Sequence, residues 1–261
     1  MATTPVYEDI GKDYNANRRA DPRVVHQLID LLALPPYALV ADVGAGTGNY
    51  SSALVEAGYR VVAMDPSLRM LQQASPDLRR LASGAQAVPL RDASVDGLVS
   101  TMTLQHLRPL IGEAAREMRR VLRDGPAVLL VVDPREAQPF WFADYFPAIR
   151  ARMFDSYAPL SEIEAHFRAA GFTRFEVTPF PLPADFSDMN MHSGWNRPEI
   201  YLDAHFRQNM SPFALASEDE IRSGVEKLQR DLDSGAWDAA HGGLRQQASF
   251  DLGFRFLRAS F

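Results

Sequence analysis

The stretch that most constrains this chain is Asp42-Val43-Gly44-Ala45-Gly46-Thr47-Gly48-Asn49-Tyr50, which follows the apolar run Leu39-Val40-Ala41. Aliphatic and β-branched residues that break into glycines at every second position fit a buried parallel strand turning sharply into a helix. Each glycine omits a Cβ where the backbone must bend or a ligand must come close. A helix over roughly 51–57 then offers unpaired amide hydrogens and the positive end of its dipole, a seat for an anionic group. Asp42, at the end of the strand beside that seat, offers an acceptor to a cationic group. The two together suit a zwitterion.

Glycine spacing separates the cofactor classes. A dinucleotide fingerprint needs G-x-G-x-x-G, whereas here the third slot is Asn49 and the extra glycine is Gly48. The pattern D-x-G-x-G-x-G resembles motif I of the class I S-adenosylmethionine-dependent methyltransferases. The longer run D-V-G-A-G-T-G-N-Y resembles their type 11 branch, which holds the ubiquinone/menaquinone methyltransferase-like enzymes. That resemblance implies an α/β fold: a seven-stranded, mostly parallel, doubly wound sheet of Rossmann-like type. It implies S-adenosyl-L-methionine as the cofactor.

Further contacts follow at family-like positions. Tyr59 to Met64 reads as a second strand ending in Asp65-Pro66-Ser67, with Asp65 standing 23 residues past Asp42, about one β-α-β step. An acid there can accept both ribose hydroxyls, and Ser67 suits an N-cap. The third element, Ser83 to Leu90, resembles the family's G-D-A-E-x-L-P-F segment bordering the adenine; its usual aspartate is Gly84 here, leaving the Ala85 backbone and the Gln86 side chain as contacts. Near the N-terminus, Tyr14-Asn15-Ala16-Asn17-Arg18 resembles a Y-D-x-x-R-like pattern carried by a segment that folds over the cofactor. The expected cofactor set is Tyr14, Arg18, Asp42, Gly44, Ala45, Gly46, Gly48, Asp65, Pro66, Ala85 and Gln86.

The remaining chain fits the same scheme. Asp21-Pro22 opens a helix as N-cap and first-turn proline, and Gly97 to Thr101 and Ala127 to Val132 read as the fourth and fifth strands. Ser161 and Glu164 predict a capping box for a helix ending at Ala170. Phe172 to Thr178 and Gln247 to Ala259 read as the sixth and seventh strands, the last antiparallel. The expected organisation is a cofactor-covering helical segment over 1–37 and a core over 38–179 and 247–261, with a lid over 136–157. A helical substrate-lid insertion over 180–246 completes it.

Of 26 aromatic residues, 16 fall between 135 and 215, outside the common core pattern. Apolar walls with a few polar anchors describe small-molecule sites, so Trp141, Tyr145, Trp195 and Tyr201 are the expected substrate contacts, and a hydrophobic or aromatic metabolite the expected substrate. A second core or a homodimer interface would use the same aromatics. The resemblance implies methyl transfer to an O, N or C nucleophile, in which alignment supplies much of the rate. His106, where relatives often carry a histidine pair, is the candidate base. Tyr14, whose ring can stabilise a sulfonium by roughly 0.5–2 kcal/mol, is the other catalytic candidate. A non-catalytic S-adenosylmethionine-binding protein and, less favoured, a nucleotide-dependent oxidoreductase are the alternatives.

Composition narrows the class further. A net charge of −6 argues against nucleic acid, which needs a basic face. The chain has no cysteine, and its six histidines show no ligand spacing, so no metal site is expected. No apolar run reaches the length of a membrane span, and a cytoplasmic location is the expectation.

Overall fold

The computed structural model describes residues 18–208 and 210–261; Tyr14 therefore lies outside the described residues. Helix α1 (Pro22–Leu32) begins as its sequence dictates, with the Asp21 carboxylate accepting from Arg23 N at 2.9 Å and proline in the first turn. There follow β1 (Leu39–Val43), α2 (Asn49–Glu56), β2 (Arg60–Asp65), α3 (Leu68–Gln72), β3 (Arg79–Ala82), β4 (Gly97–Thr101), α4 (Ile111–Val121) and β5 (Ala127–Val132). Beyond them lie α5 (Phe142–Tyr145), α6 (Pro147–Ser156), α7 (Leu160–Ala169), β6 (Arg174–Pro179) and β7 (Leu182–Pro183). The last part of the chain holds α8 (Ala204–Gln208), α9 (Ser211–Ala214), α10 (Glu218–Asp233), α11 (Ala236–His241), β8 (Ser249–Phe250) and β9 (Phe254–Ser260).

The main sheet has seven strands in the order β3-β2-β1-β4-β5-β9-β6, parallel except for β9, which runs antiparallel to both neighbours. Alternation along the strands divides the core. Val40, Val61, Val99, Val128 and Leu130 join α1, α2 and the aromatic segments on one face, while Ala41, Val62, Leu98, Ala127 and Leu129 meet α4 and α7 on the other. Strand order reverses between β1 and β4, the crevice where such sheets place their ligands. Among the described residues no helix is long and apolar enough to cross a membrane.

Three expectations need correction. The third strand is Arg79–Ala82, and Ser83 to Leu90 is the turn that follows it; an exposed edge strand with two arginines carries no apolar signal. The capping box at Ser161 and Glu164 is absent. Helix α7 starts at Leu160, the Asp133 carboxylate accepts from Leu160 N at 2.8 Å, and Glu164 pairs with Arg168 instead. The last strand is interrupted: Gly253 (φ +83°) separates β8, which pairs with β7, from β9. A Cβ at Gly253 would sit 2.9 Å from the Asp133 carbonyl carbon, so the break needs glycine.

Candidate active site

The glycine loop is fastened to the end of β2. Gly44 N and Ala45 N both donate to Met64 O at 2.8 Å, and Gly46 N donates to Asp65 Oδ2 at 2.9 Å. The other Asp65 oxygen accepts from Ser67 N at 2.8 Å. Ser67 in turn caps α3 by accepting from Met70 N at 3.2 Å. Half-buried Asp65 therefore holds the loop and the next helix start together.

Gly44 (φ +79°) stands where the loop tolerates no side chain. A Cβ there would lie 2.7 Å from Thr103 Cβ, and Thr103 Oγ1 donates to Gly44 O at 3.1 Å. Among the described residues Gly46 (φ +57°) has only the Met70 methyl, at 3.3 Å, near its missing Cβ, which leaves room on that side for a ligand.

Asp42 is fully buried beneath the loop. Its Oδ2 accepts from Ser51 Oγ at 2.5 Å, tying the strand to α2, while its Oδ1 has no partner among the described residues. Desolvation raises its pKa to about 7; the Ser51 hydrogen bond opposes that rise and the Asp65 charge adds to it. A buried carboxylate with one unpartnered oxygen, in a loop of left-handed glycines, fits a ligand that brings a cation to this point.

Beyond β3, Ser83 N donates to Asp65 O at 3.1 Å and Ser83 Oγ is buried with no partner among the described residues. Gln86 folds over Gly84: its Nε2 and Cδ lie 2.7 and 2.8 Å from where a Gly84 Cβ would stand. The Gln86 amide thus occupies the space that an aspartate side chain at 84 would take. Pro66 is exposed beside Asp65, and Ala85 is buried.

Arg18 lies across the start of α2 and is joined to Asp188 in two hydrogen bonds, one from Nη2 at 3.1 Å; Tyr50 Oη donates to the same carboxylate at 3.2 Å. Asn49 Nδ2 donates to Arg18 O at 3.0 Å. A second clasp lies beside it, where Asp21 accepts from Ser187 N and Oγ, each at 3.0 Å. Burial alone would raise the Asp21 pKa, but hydrogen bonds from Arg23 and Ser187 bring it down to about 2. The N-terminal segment and residues 185–188 are therefore fastened to each other beside the glycine loop.

The four aromatics expected at the substrate lie in one buried cluster. Trp141 Nε1 donates to Trp195 O at 2.7 Å, and the Trp141 ring meets Tyr201 edge-on with centroids 5.2 Å apart. Tyr145 Oη donates to Asp231 at 2.9 Å, Tyr201 Oη donates to Met191 O, and Trp195 stacks on Phe250. Their rings fill much of the space between α5, α10, α11 and residues 191–202. One open groove of the described surface lies away from them, between α1 and α2.

At the carboxyl end of β4 the structure separates two neighbours. His106 is exposed and meets Tyr157 edge-on at 4.8 Å. Desolvation by the atoms packed around the ring lowers its pKa. Gln105 is completely buried and neither of its side-chain amide atoms has a partner among the described residues. Sequence reasoning missed Gln105, Thr103 and Ser83. Nothing in the residue pattern set Gln105 apart, since an unsatisfied buried amide is visible only once the chain has folded around it.

Comparison with known proteins agrees with this geometry. The methyltransferase domain family of type 11 matches residues 41–130. A solved structure of a putative methyltransferase from an antibiotic biosynthesis pathway of Anabaena variabilis superposes with a TM-score of 0.89 at 39% identity, covering 94% of this chain and 99% of that one. An uncharacterised methyltransferase of Mycobacterium tuberculosis is 35% identical over 134 residues, 50% of this chain and 54% of that protein. A demethylmenaquinone methyltransferase of Renibacterium salmoninarum is 36% identical over 101 residues, 38% of this chain and 42% of that protein. The chain thus spans about half the length of the curated relatives it matches.

Proposed function

Because the chain belongs to the class I S-adenosylmethionine-dependent methyltransferases of type 11, we propose that it transfers a methyl group from S-adenosyl-L-methionine to an O, N or C nucleophile of a small hydrophobic or aromatic metabolite. The observation that carries this reading is the placement of Asp42, the glycine loop and Asp65 around the ends of β1 and β2, where the strand order turns. Asp65 would hold the ribose hydroxyls, and the segment Ser83 to Gln86 would border the adenine. The loop and Asp42 Oδ1 would take the amino-acid end. When bound, the cofactor supplies an already activated methyl group, so the protein's part is alignment and exclusion of water.

Arg18, Asp188 and Tyr50 would close the N-terminal segment over the loop, with Tyr14 next to the reacting centre. His106 would take a proton only from an acceptor that is protonated at neutral pH; Gln105, buried at the same strand end, would orient a polar group of that acceptor. Trp141, Tyr145, Trp195 and Tyr201 would form the wall behind it. We assign residues 1–37 to the cofactor cover, 136–157 and 180–246 to the substrate lid, and the protein to the cytoplasm. An acidic, cysteine-free chain suits small-molecule work there. The test supplies labelled methyl donor to the protein in a metabolite extract. Label in a small organic molecule is expected; label in RNA or protein, or binding of the donor without transfer, would overturn the proposal.

A further inference from the structure

The chain is acidic overall, and buried or half-buried arginines are commonly matched with carboxylates: Arg18 with Asp188, Arg120 with Glu117, Arg135 with Asp133 and Arg255 with Asp251. Arg150 and Arg197 depart from this pattern, since neither meets a carboxylate among the described residues. Half-buried Arg150 donates from Nη2 to Pro134 O at 3.0 Å, and its guanidinium lies 5.4 Å from the centre of the Phe154 ring. Arg197 donates from Nη2 to Ser193 O at 3.1 Å and touches Met189 Sδ at 3.9 Å, while its Nε is buried with no partner among the described residues.

His192 lies between them. Arg197 bonds the carbonyl of the residue next to it, and Arg150 bonds Pro134 O, two residues past Val132, whose strand partner Phe254 meets the imidazole. His192 is 6% exposed, its Nδ1 has no partner among the described residues, and its ring meets Phe254 edge-on at 5.3 Å. Phe254 pairs with Val132, which puts His192 at the carboxyl end of β5. Asn190 accepts from His192 N at 2.8 Å and reaches Met102 Sδ at 3.8 Å, which puts the same turn against the end of β4.

Nearby acids are already engaged. Asp133 binds Arg135 and Leu160 N, and Asp188 binds Arg18 and Tyr50. Burying a guanidinium without a counter-charge is costly. Burial and the neighbouring Arg135 both disfavour the charge on Arg150, and burial together with Arg150 pushes the His192 pKa down to about 3. The region is thus electropositive, incompletely hydrogen-bonded and set at the strand ends. The planar fork of arginine matches carboxylate and phosphate oxygens. Trp195 and Phe254 beside it are apolar.

We propose that Arg150 and Arg197, flanking His192, form the subsite for a carboxylate or phosphate group on an otherwise apolar methyl acceptor. The word acceptor rests on the methyltransferase reading; the anion subsite itself does not. The experiment measures thermal shifts of the full chain at constant ionic strength, with and without S-adenosylhomocysteine, on adding millimolar benzoate, phenyl phosphate or benzamide. One or both anions should stabilise the protein and neutral benzamide should not; which anion is stronger separates carboxylate from phosphate. Arg150→Gln and Arg197→Gln should each weaken the anion by about tenfold or more while leaving the response to S-adenosylhomocysteine unchanged. No shift with either anion, an equal shift with benzamide, or a full anion response in both variants would overturn the subsite. The wild-type comparison stands even if a variant fails to fold. Silence toward S-adenosylhomocysteine with a preserved anion response would instead count against the methyltransferase reading alone.

Discussion

Replacing Asp65 by alanine should injure the protein in two separable ways. In the folded chain its two oxygens accept from Gly46 N at 2.9 Å and Ser67 N at 2.8 Å. Hydrogen bonds to a charged group are worth about 1.5–3 kcal/mol each, but Asp65 is half-buried and water can reach part of the gap. The expected loss of stability without cofactor is therefore about 1–3 kcal/mol, read as a lower urea midpoint at unchanged slope. Removal of the acceptor for the ribose hydroxyls should weaken cofactor binding by about 1.5–3 kcal/mol, roughly a ten- to 150-fold rise in Kd. Asp65→Asn keeps one oxygen acceptor, so it should recover part of the stability while still binding more weakly than the wild type. Titration calorimetry with S-adenosylhomocysteine, paired with urea unfolding, reads both effects. A folded Asp65→Ala protein with wild-type affinity would refute the assignment and reduce Asp65 to a fastener of the loop.

Asp42 should make the stability of the protein depend on pH. Its folded pKa is raised from 3.8 to about 7, so its contribution to stability is fully present below pH 4 and is lost as pH rises through 7. That costs on the order of 4 kcal/mol at high pH. Asp42→Asn should flatten this part of the stability profile and abolish the rise in cofactor affinity expected between pH 6 and 8; a variant that tracks the wild type in both would argue against it. Gly46→Val should abolish cofactor binding, because the branched side chain combines a left-handed backbone (φ +57°) with the loop's open side; retained binding by calorimetry would move the ligand elsewhere. His106→Gln should lower turnover by about 10²–10⁴ with cofactor affinity intact if the imidazole is the base, whereas an unchanged pH–rate profile would remove it from the chemistry. Gln105→Leu should stabilise the protein without substrate, by about 1–3 kcal/mol from relieving an unsatisfied buried amide, and should raise KM; a destabilised variant with normal KM would show that Gln105 is structural.

The parts of the fold legible from sequence are those with strong local grammar. The run from Leu39 to Gly48, the cap at Asp21-Pro22 and the five-residue span to Thr101 each combine periodicity with a breaker, and each forms the expected element. Asp42 and Asp65 could be paired at sequence level because a β-α-β step has a nearly fixed length. What stayed hidden was long-range. Asp133 caps α7 from 27 residues away and so displaces the expected box at Ser161. Arg18 meets Asp188, a pairing no local pattern encodes. The aromatic surplus was visible, but only the structure shows Trp141, Tyr201 and Trp237 closing on one another. The unsatisfied atoms of Gln105, His192 and Arg197 are defined by missing partners, and a sequence cannot display those.

The most direct test of the central claim is calorimetric titration of the purified chain with S-adenosylhomocysteine and, separately, with NADH. The zwitterion seat formed by Asp42, the glycine loop and Asp65 predicts one S-adenosylhomocysteine per chain and no heat of binding from NADH. Binding of NADH with silence toward S-adenosylhomocysteine would contradict the account.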